Sequence, residues 1–109
     1  MLDTSELTAA VERFADRLRA APHSRLQRGA AAEGLALARE LSARAQRVEA
    51  PGTEPRVMPD AGLFTVADQL LVAGNDLVEI LRTAPSGVPE GELDEAVRSV
   101  REAMARSGL

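Results

Sequence analysis

The strongest helical pattern in the sequence lies in residues 63–84, LFTVADQLLVAGNDLVEILRTA. On a helix that turns about 100° per residue, its apolar residues share one broad face. They are Leu63, Val66, Ala67, Leu70, Gly74, Leu77, Val78 and Leu81. This face covers roughly twice the arc of about 100° that a surface helix needs, so at least two other elements must pack against it. The segment is therefore predicted to be the central helix of the core.

The composition favours helices over a sheet. A chain of 109 residues is the size of one domain with one core. Phe14 and Phe64 are its only aromatic residues, so Leu, Val and Ala must fill the core. No run of alternating apolar and polar residues is bounded by turns, as a strand would be. The sequence predicts a single all-α domain over residues 1–109.

The composition also restricts the class of protein. Cysteine is absent, which excludes disulfides, thiol catalysis and thiolate metal sites. The net charge of −4 argues against general binding to nucleic acid. The first residues, MLDTSE, lack the pattern of a secretory signal, and no apolar run reaches the ~18 residues of a membrane span, so we expect a cytoplasmic protein without a membrane partner. All thirteen basic residues are Arg, which indicates the codon usage of a GC-rich, bacterial genome.

Four helices are predicted, at about residues 4–21, 25–49, 64–84 and 90–107. Three of them begin with residue pairs at capping-box spacing, Asp3 with Glu6, Ser24 with Gln27, and Thr65 with Asp68. The fourth should begin with Pro89 near its first position and end at a C-terminal cap on Gly108.

Residues 50–62 form the only long linker, and its three prolines favour an extended chain. The other two connections are short, so the sequence predicts two α-hairpins joined by a proline-rich crossover in a four-helix antiparallel bundle. Alternatively, hairpins from two chains complete one core in a dimer. Val57 and Met58 in the linker either tuck against the end of their own bundle or form a contact for a partner.

Two glycines, Gly29 and Gly34, fall inside the second predicted helix, where each costs about 1 kcal/mol relative to Ala. We expect close helix packing to compensate, with Gly34 and Gly74 letting the second and third helices approach. Leu35 lies opposite the apolar stripe of its helix and is predicted to be exposed. Leu35 and Val72 are therefore the candidate interface residues on the helices.

No residue pattern supports catalysis. No sequence motif of a catalytic nucleophile surrounds His23, the single histidine, and Glu-x-x-His pairs for a di-iron site are absent. Asp76 and Glu79 are interpreted as solvated carboxylates rather than a cation site. No helix is preceded by a glycine-rich phosphate loop. The sequence predicts a protein that is not an enzyme and has neither a cofactor nor a metal.

Basic residues cluster where the first predicted helix ends and the second begins. Those in the first helix complement the negative end of its dipole. Arg25 and Arg28 do not, because they lie near a helix N-terminus, where free N–H groups favour an anion. With His23 and Ser24 they form a candidate anion site. The acidic residues between positions 90 and 95 suit the positive end of the last helix. Alternatively, they contact the basic corner of another subunit, which His23, Ser24, Arg25 and Arg28 form.

The leading functional hypothesis is a small helical module for protein interaction or oligomerisation, whose partner is a second copy or another protein. The alternative is a regulatory bundle that binds an anion or small ligand at the basic corner. A helix-turn-helix reader of DNA ranks third, because the chain is acidic and its second helix is long and rich in Ala.

Overall fold

A computed structural model describes residues 2–109, which are helical throughout apart from their connections and contain no strand. The helices are α1 (Ser5–Ala20), α2 (His23–Arg25), α3 (Ala31–Glu49), α4 (Val66–Thr83) and α5 (Glu92–Ser107). A π-helical turn, Leu26–Ala30, joins α2 to α3, and single 3₁₀ turns span Leu63–Thr65 and Pro85–Gly87. Because α2, the π turn and α3 together form the second predicted helix, the prediction of an all-α fold with four helical segments is confirmed.

The second helical segment is kinked at Gly29. This residue has φ +141° and ψ −16°, which is not a helical conformation. A Cβ atom placed there would meet no atom within 4 Å, so close packing does not explain this glycine. The expected role of Gly29 in helix packing is therefore wrong. Its role is conformational, since only glycine adopts such a backbone without strain.

Gly34 and Gly74 do mark close approaches between helices. A Cβ atom on Gly34 would lie 2.7 Å from Cγ1 of Val66 in α4 and 2.9 Å from Cδ1 of Leu18 in α1. The same atom on Gly74 would lie 2.7 Å from Cγ1 of Val11, so this glycine admits α1 rather than α3. Close packing at Gly34 is confirmed, and at Gly74 the neighbouring helix differs from the predicted one.

Helix α4 packs against both α3 and α1, which gives its broad apolar face the two neighbours that the sequence requires. Its Leu70, Leu77 and Leu81 have no exposed surface. Helix α5 packs against the same two helices from another side, while α4 and α5 barely touch. The core thus forms where α1 and α3 pack against α4 and α5, rather than between α1 and α3 or between α4 and α5.

The contacts also show the relative direction of α3 and α4. Gly34 near the start of α3 faces Val66 at the start of α4. Gln46 near the end of α3 shares a groove with Ile80 near the end of α4. The two helices therefore run in the same direction, and the linker of residues 50–62 returns along them. An antiparallel arrangement of all four helices is not confirmed.

Leu35 is only 8% exposed and belongs to the core, so the prediction that it is exposed is wrong. The reason is that α3 packs against α5 as well as α4. A helix with two neighbours needs a second buried stripe, which Ala31, Leu35 and Ala38 provide.

The helix ends differ from the predicted ones. None of the three predicted side-chain caps forms in α1, α2 or α4. Asp3 instead accepts the N–H of Ser5 at 3.0 Å. Helix α5 begins after Gly91, so Pro89 lies outside it. The C-terminal cap on Gly108 is confirmed, with φ +74° and its N–H directed to the carbonyl of Ala105.

No helix within residues 2–109 combines the length and hydropathy that crossing a membrane requires.

Candidate interaction surface

The linker lies against α3 and α4 and is held there through its backbone. Gln46 of α3 donates from Nε2 to the carbonyl oxygen of Arg56 at 3.0 Å and accepts the N–H of Arg56 on Oε1 at 2.8 Å. One glutamine side chain thus binds both backbone polar groups of one extended residue. Gln46 also donates to the hydroxyl of Ser42 at 3.1 Å, which steadies its amide.

Two further side chains hold the next part of the linker. Arg39 donates from Nε to the carbonyl of Met58 at 2.7 Å, and Gln69 of α4 donates from Nε2 to the carbonyl of Pro59 at 2.9 Å. Met58 packs against the core, whereas Val57 is 74% exposed. Of the two alternatives predicted for these neighbours, Met58 tucks against its own domain, and Val57 is available to a partner.

A depression of about 690 Å³ opens between the linker, the last two turns of α3 and the outer side of α4. Its apolar lining includes Val57 and Ile80, and its acidic lining consists of Glu49, Asp76 and Glu79. None of these three carboxylates forms an ion pair in the described part of the chain. Residues 2–109 also contain no group of three or more acidic, His or Cys side chains that could hold a metal ion.

Most of the exposed large apolar side chains belong to the linker and to the segments that follow it in the sequence. Large apolar residues with exposed surface in residues 2–109 are Leu2, Val57, Phe64 and Val72, and the last three come from the linker, the 3₁₀ turn after it and α4. Phe64 is 76% exposed, and its ring stacks on that of His23 with centroids 5.6 Å apart. Val72 is 57% exposed, as its position outside the predicted core stripe requires.

The structure brings His23, Ser24, Arg25 and Arg28 together at one exposed corner. Arg25 donates to the carbonyl of Gly108 at 2.5 Å, and the nearby Arg17 donates to the carbonyl of Leu109 at 3.0 Å. These cations therefore satisfy carbonyl groups just beyond the end of α5, where the helix dipole favours positive charge. This contact cannot be read from the sequence, because it joins residues that are far apart along the chain. Anion binding at the corner stays a prediction.

The acidic start of α5 is bound within the same chain. Arg44 of α3 contacts Glu40 and Glu92 at 3.0 Å each, and Glu95 at 3.5 Å. The side chains of Arg44 and Glu92 are only 18% and 11% exposed. Burial lowers the pKa of Arg44, but its hydrogen bonds to Glu92 and Glu40 outweigh that effect and raise the pKa above its usual value. The sequence showed the Glu40–Arg44 pair but not its extension to α5.

Replacing Arg44 with Ala should lower the free energy of unfolding by about 2 kcal/mol, because the largely buried carboxylate of Glu92 is left without its partner. The matched control is Arg101→Ala, which breaks the pair with Glu6, where the side chains are 57% and 62% exposed. That change should cost less than about 0.5 kcal/mol. Urea denaturation of both variants measures the difference, and equal losses would contradict a structural role for the Arg44 network.

The residues of this surface that sequence reasoning missed are Arg39, Gln46 and Gln69. Each is a polar helix residue that looks like an ordinary solvated side chain. What distinguishes the three is that they lie close to the linker in space, and the sequence does not show that closeness. Comparison of the chain with protein-family models, with curated proteins and with solved structures finds no match in any of the three.

Proposed function

We propose that this protein is a helical interaction module without catalytic activity, which associates with a second copy of itself through the outer side of α4 and the linker. The observation that carries this proposal is the exposure of Val57 in the linker, Phe64 in the turn before α4, and Val72 in α4. A single exposed apolar residue is ordinary, but three from adjacent segments suit an interface.

Charge supports a second copy as the partner. The outer side of α4 and the adjoining groove carry Asp76 and Glu79, while the opposite sign is exposed on Arg28 at the basic corner that it forms with His23, Ser24 and Arg25. In a two-fold pair each copy can set its acidic edge beside the basic corner of the other. The contact would orient the pair, and the apolar residues would supply most of its stability.

The proposal includes the two-hairpin arrangement of the helices. The Arg19–Asp68 pair joins the end of α1 to the start of α4, and the Arg106–Glu33 pair joins the end of α5 to the start of α3. Both contacts support antiparallel packing of helices from different hairpins. The outer side of α4 then lies between α1 and the linker.

The test is the molar mass by light scattering on a sizing column over a wide range of protein concentration. We expect the wild type to approach the mass of two chains. Val72→Glu should weaken the association by about tenfold or more, since it places a negative charge in an apolar contact that already lies beside acidic residues. Ala36→Glu, on the exposed outer side of α3, is the matched control and should dimerise normally.

Circular dichroism must show unchanged helix content in both variants. A wild type with the mass of one chain at every concentration contradicts self-association. A dimer that Val72→Glu does not weaken places the interface elsewhere.

A further inference from the structure

We propose that the groove between α3 and α4 is a binding site for an extended peptide from a partner protein, and that the linker residues Arg56–Pro59 occupy it as a resident stand-in. This inference goes beyond self-association and does not depend on it.

The groove recognises backbone rather than side chains. The hydrogen bonds that Gln46, Arg39 and Gln69 form with the linker all go to its main-chain groups. None of these hydrogen bonds requires the residue types that the linker carries, so another extended chain can form them. Main-chain hydrogen bonding combined with pockets for alternate side chains is the way in which proteins bind extended peptides.

The resident linker satisfies this site incompletely. Gln46 binds both the N–H and the C=O of Arg56. Gln69 binds only the C=O of Pro59, and its Oε1 is buried without a hydrogen-bond partner. Proline has no N–H to donate, so the second half of this clamp is unused. A residue with an N–H at this register can complete it in the way that Arg56 completes the clamp of Gln46.

The lining of the groove defines the rest of the peptide. The carboxylates of Glu49, Asp76 and Glu79 line the same depression as Arg56 without forming an ion pair to it, and their combined negative charge favours a basic residue at that position. Val57 points to solvent and Met58 packs against the core, so the next residue is free and the following one is apolar. The expected ligand is an extended segment of the form basic, any, large apolar, then a residue other than proline.

Displacing the linker does not require unfolding of the helices. Within the linker, residues 51–54 before the bound segment Arg56–Pro59 and residues 60–62 after it are exposed, and Gly52 and Gly62 have positive φ. The linker competes as a tethered ligand at high effective concentration, so the wild-type chain should bind a free peptide far more weakly than a chain with an emptied groove.

The test uses two labelled octapeptides, EPRVMPDA, which copies residues 54–61, and EPRVMADA, which carries alanine in place of the proline. The receptor is the full chain with the groove emptied by Arg56→Pro, Val57→Ser and Met58→Gly, and Pro59 is kept so that the resident segment offers no N–H to Gln46 or Gln69. Fluorescence anisotropy should show about tenfold tighter binding of the alanine peptide, as one added hydrogen bond to a buried acceptor predicts. Adding Gln69→Leu should make the two affinities equal, and adding Gln46→Leu should weaken both.

A second measurement covers the case in which the emptied chain does not fold. In the otherwise native chain, Pro59→Ala introduces an amide whose hydrogen exchange should be at least about tenfold slower than in the Pro59→Ala, Gln69→Leu double variant. The proposal is overturned if a folded, emptied chain binds neither peptide at ~1 mM, if Gln69→Leu leaves the preference for alanine intact, or if the new amide exchanges equally fast in both variants. Chain mass enters neither readout, so a failure here leaves self-association standing.

Discussion

Replacing Phe14 with Ala is expected to lower the free energy of unfolding by about 3–5 kcal/mol, which is a large share of the stability of a domain of this size. Phe14 has no exposed surface and is the largest fully buried side chain. The rest of the core consists of Leu, Val and Ala, and such small side chains cannot fill the space of a lost ring without moving helices. Denaturation in urea, followed by circular dichroism, measures the loss.

Phe64→Ala is a matched control, since Phe64 is the only other phenylalanine of the chain. Phe64 is 76% exposed and contacts His23 by stacking, so its loss should cost less than about 1 kcal/mol. If the two variants are equally destabilised, Phe14 is not the centre of the core. If Phe64→Ala alone changes self-association, its exposed ring belongs to the proposed interface.

Gly74→Leu should destabilise the fold by about 3 kcal/mol, because a side chain there forces α1 and α4 apart. The first added atom would already lie 2.7 Å from Cγ1 and 3.0 Å from Cγ2 of Val11. A β-branched side chain has few alternative rotamers, so Val11 cannot swing aside. The melting temperature and the urea midpoint should both fall.

The control for this variant is Asn75→Leu, at the next position of α4, where the side chain is exposed. It should change stability by less than about 0.5 kcal/mol. Combining Gly74→Leu with Val11→Ala should recover part of the loss, since removing the two methyl groups makes room. Losses that simply add would show that Val11 is not what the new side chain meets.

The sequence predicted the helices well, because a periodic pattern of apolar residues reports directly which side of a helix is buried. It predicted α4 as the helix with two neighbours for the same reason. It misplaced Leu35 because one stripe per helix was assumed, whereas α3 faces both α4 and α5. It misread Gly29 because composition does not distinguish a glycine chosen for its backbone conformation from one chosen for its small size.

The candidate interaction surface was less predictable than the fold. Val57 and Val72 follow from the pattern, since both are apolar residues outside the core stripes. The linker clamps do not, because Gln46 and Gln69 bind backbone groups, and backbone groups leave no trace in residue identity. The basic corner was visible as a cluster of charges, but the bonds from Arg25 and Arg17 to the last carbonyls depend on where α5 ends.

The sparse packing within each hairpin has a consequence for how this chain reaches its structure. The two helices of each hairpin, α1 with α3 and α4 with α5, contact each other little, so neither half of the chain, before or after the linker, encloses a core of its own. Short-range helix formation is fast, but here it gains stability only when distant segments dock. Folding should therefore be all-or-none, with the collision of the two halves as its slow step. Cutting the backbone at Gly52 would turn that step into a bimolecular reaction.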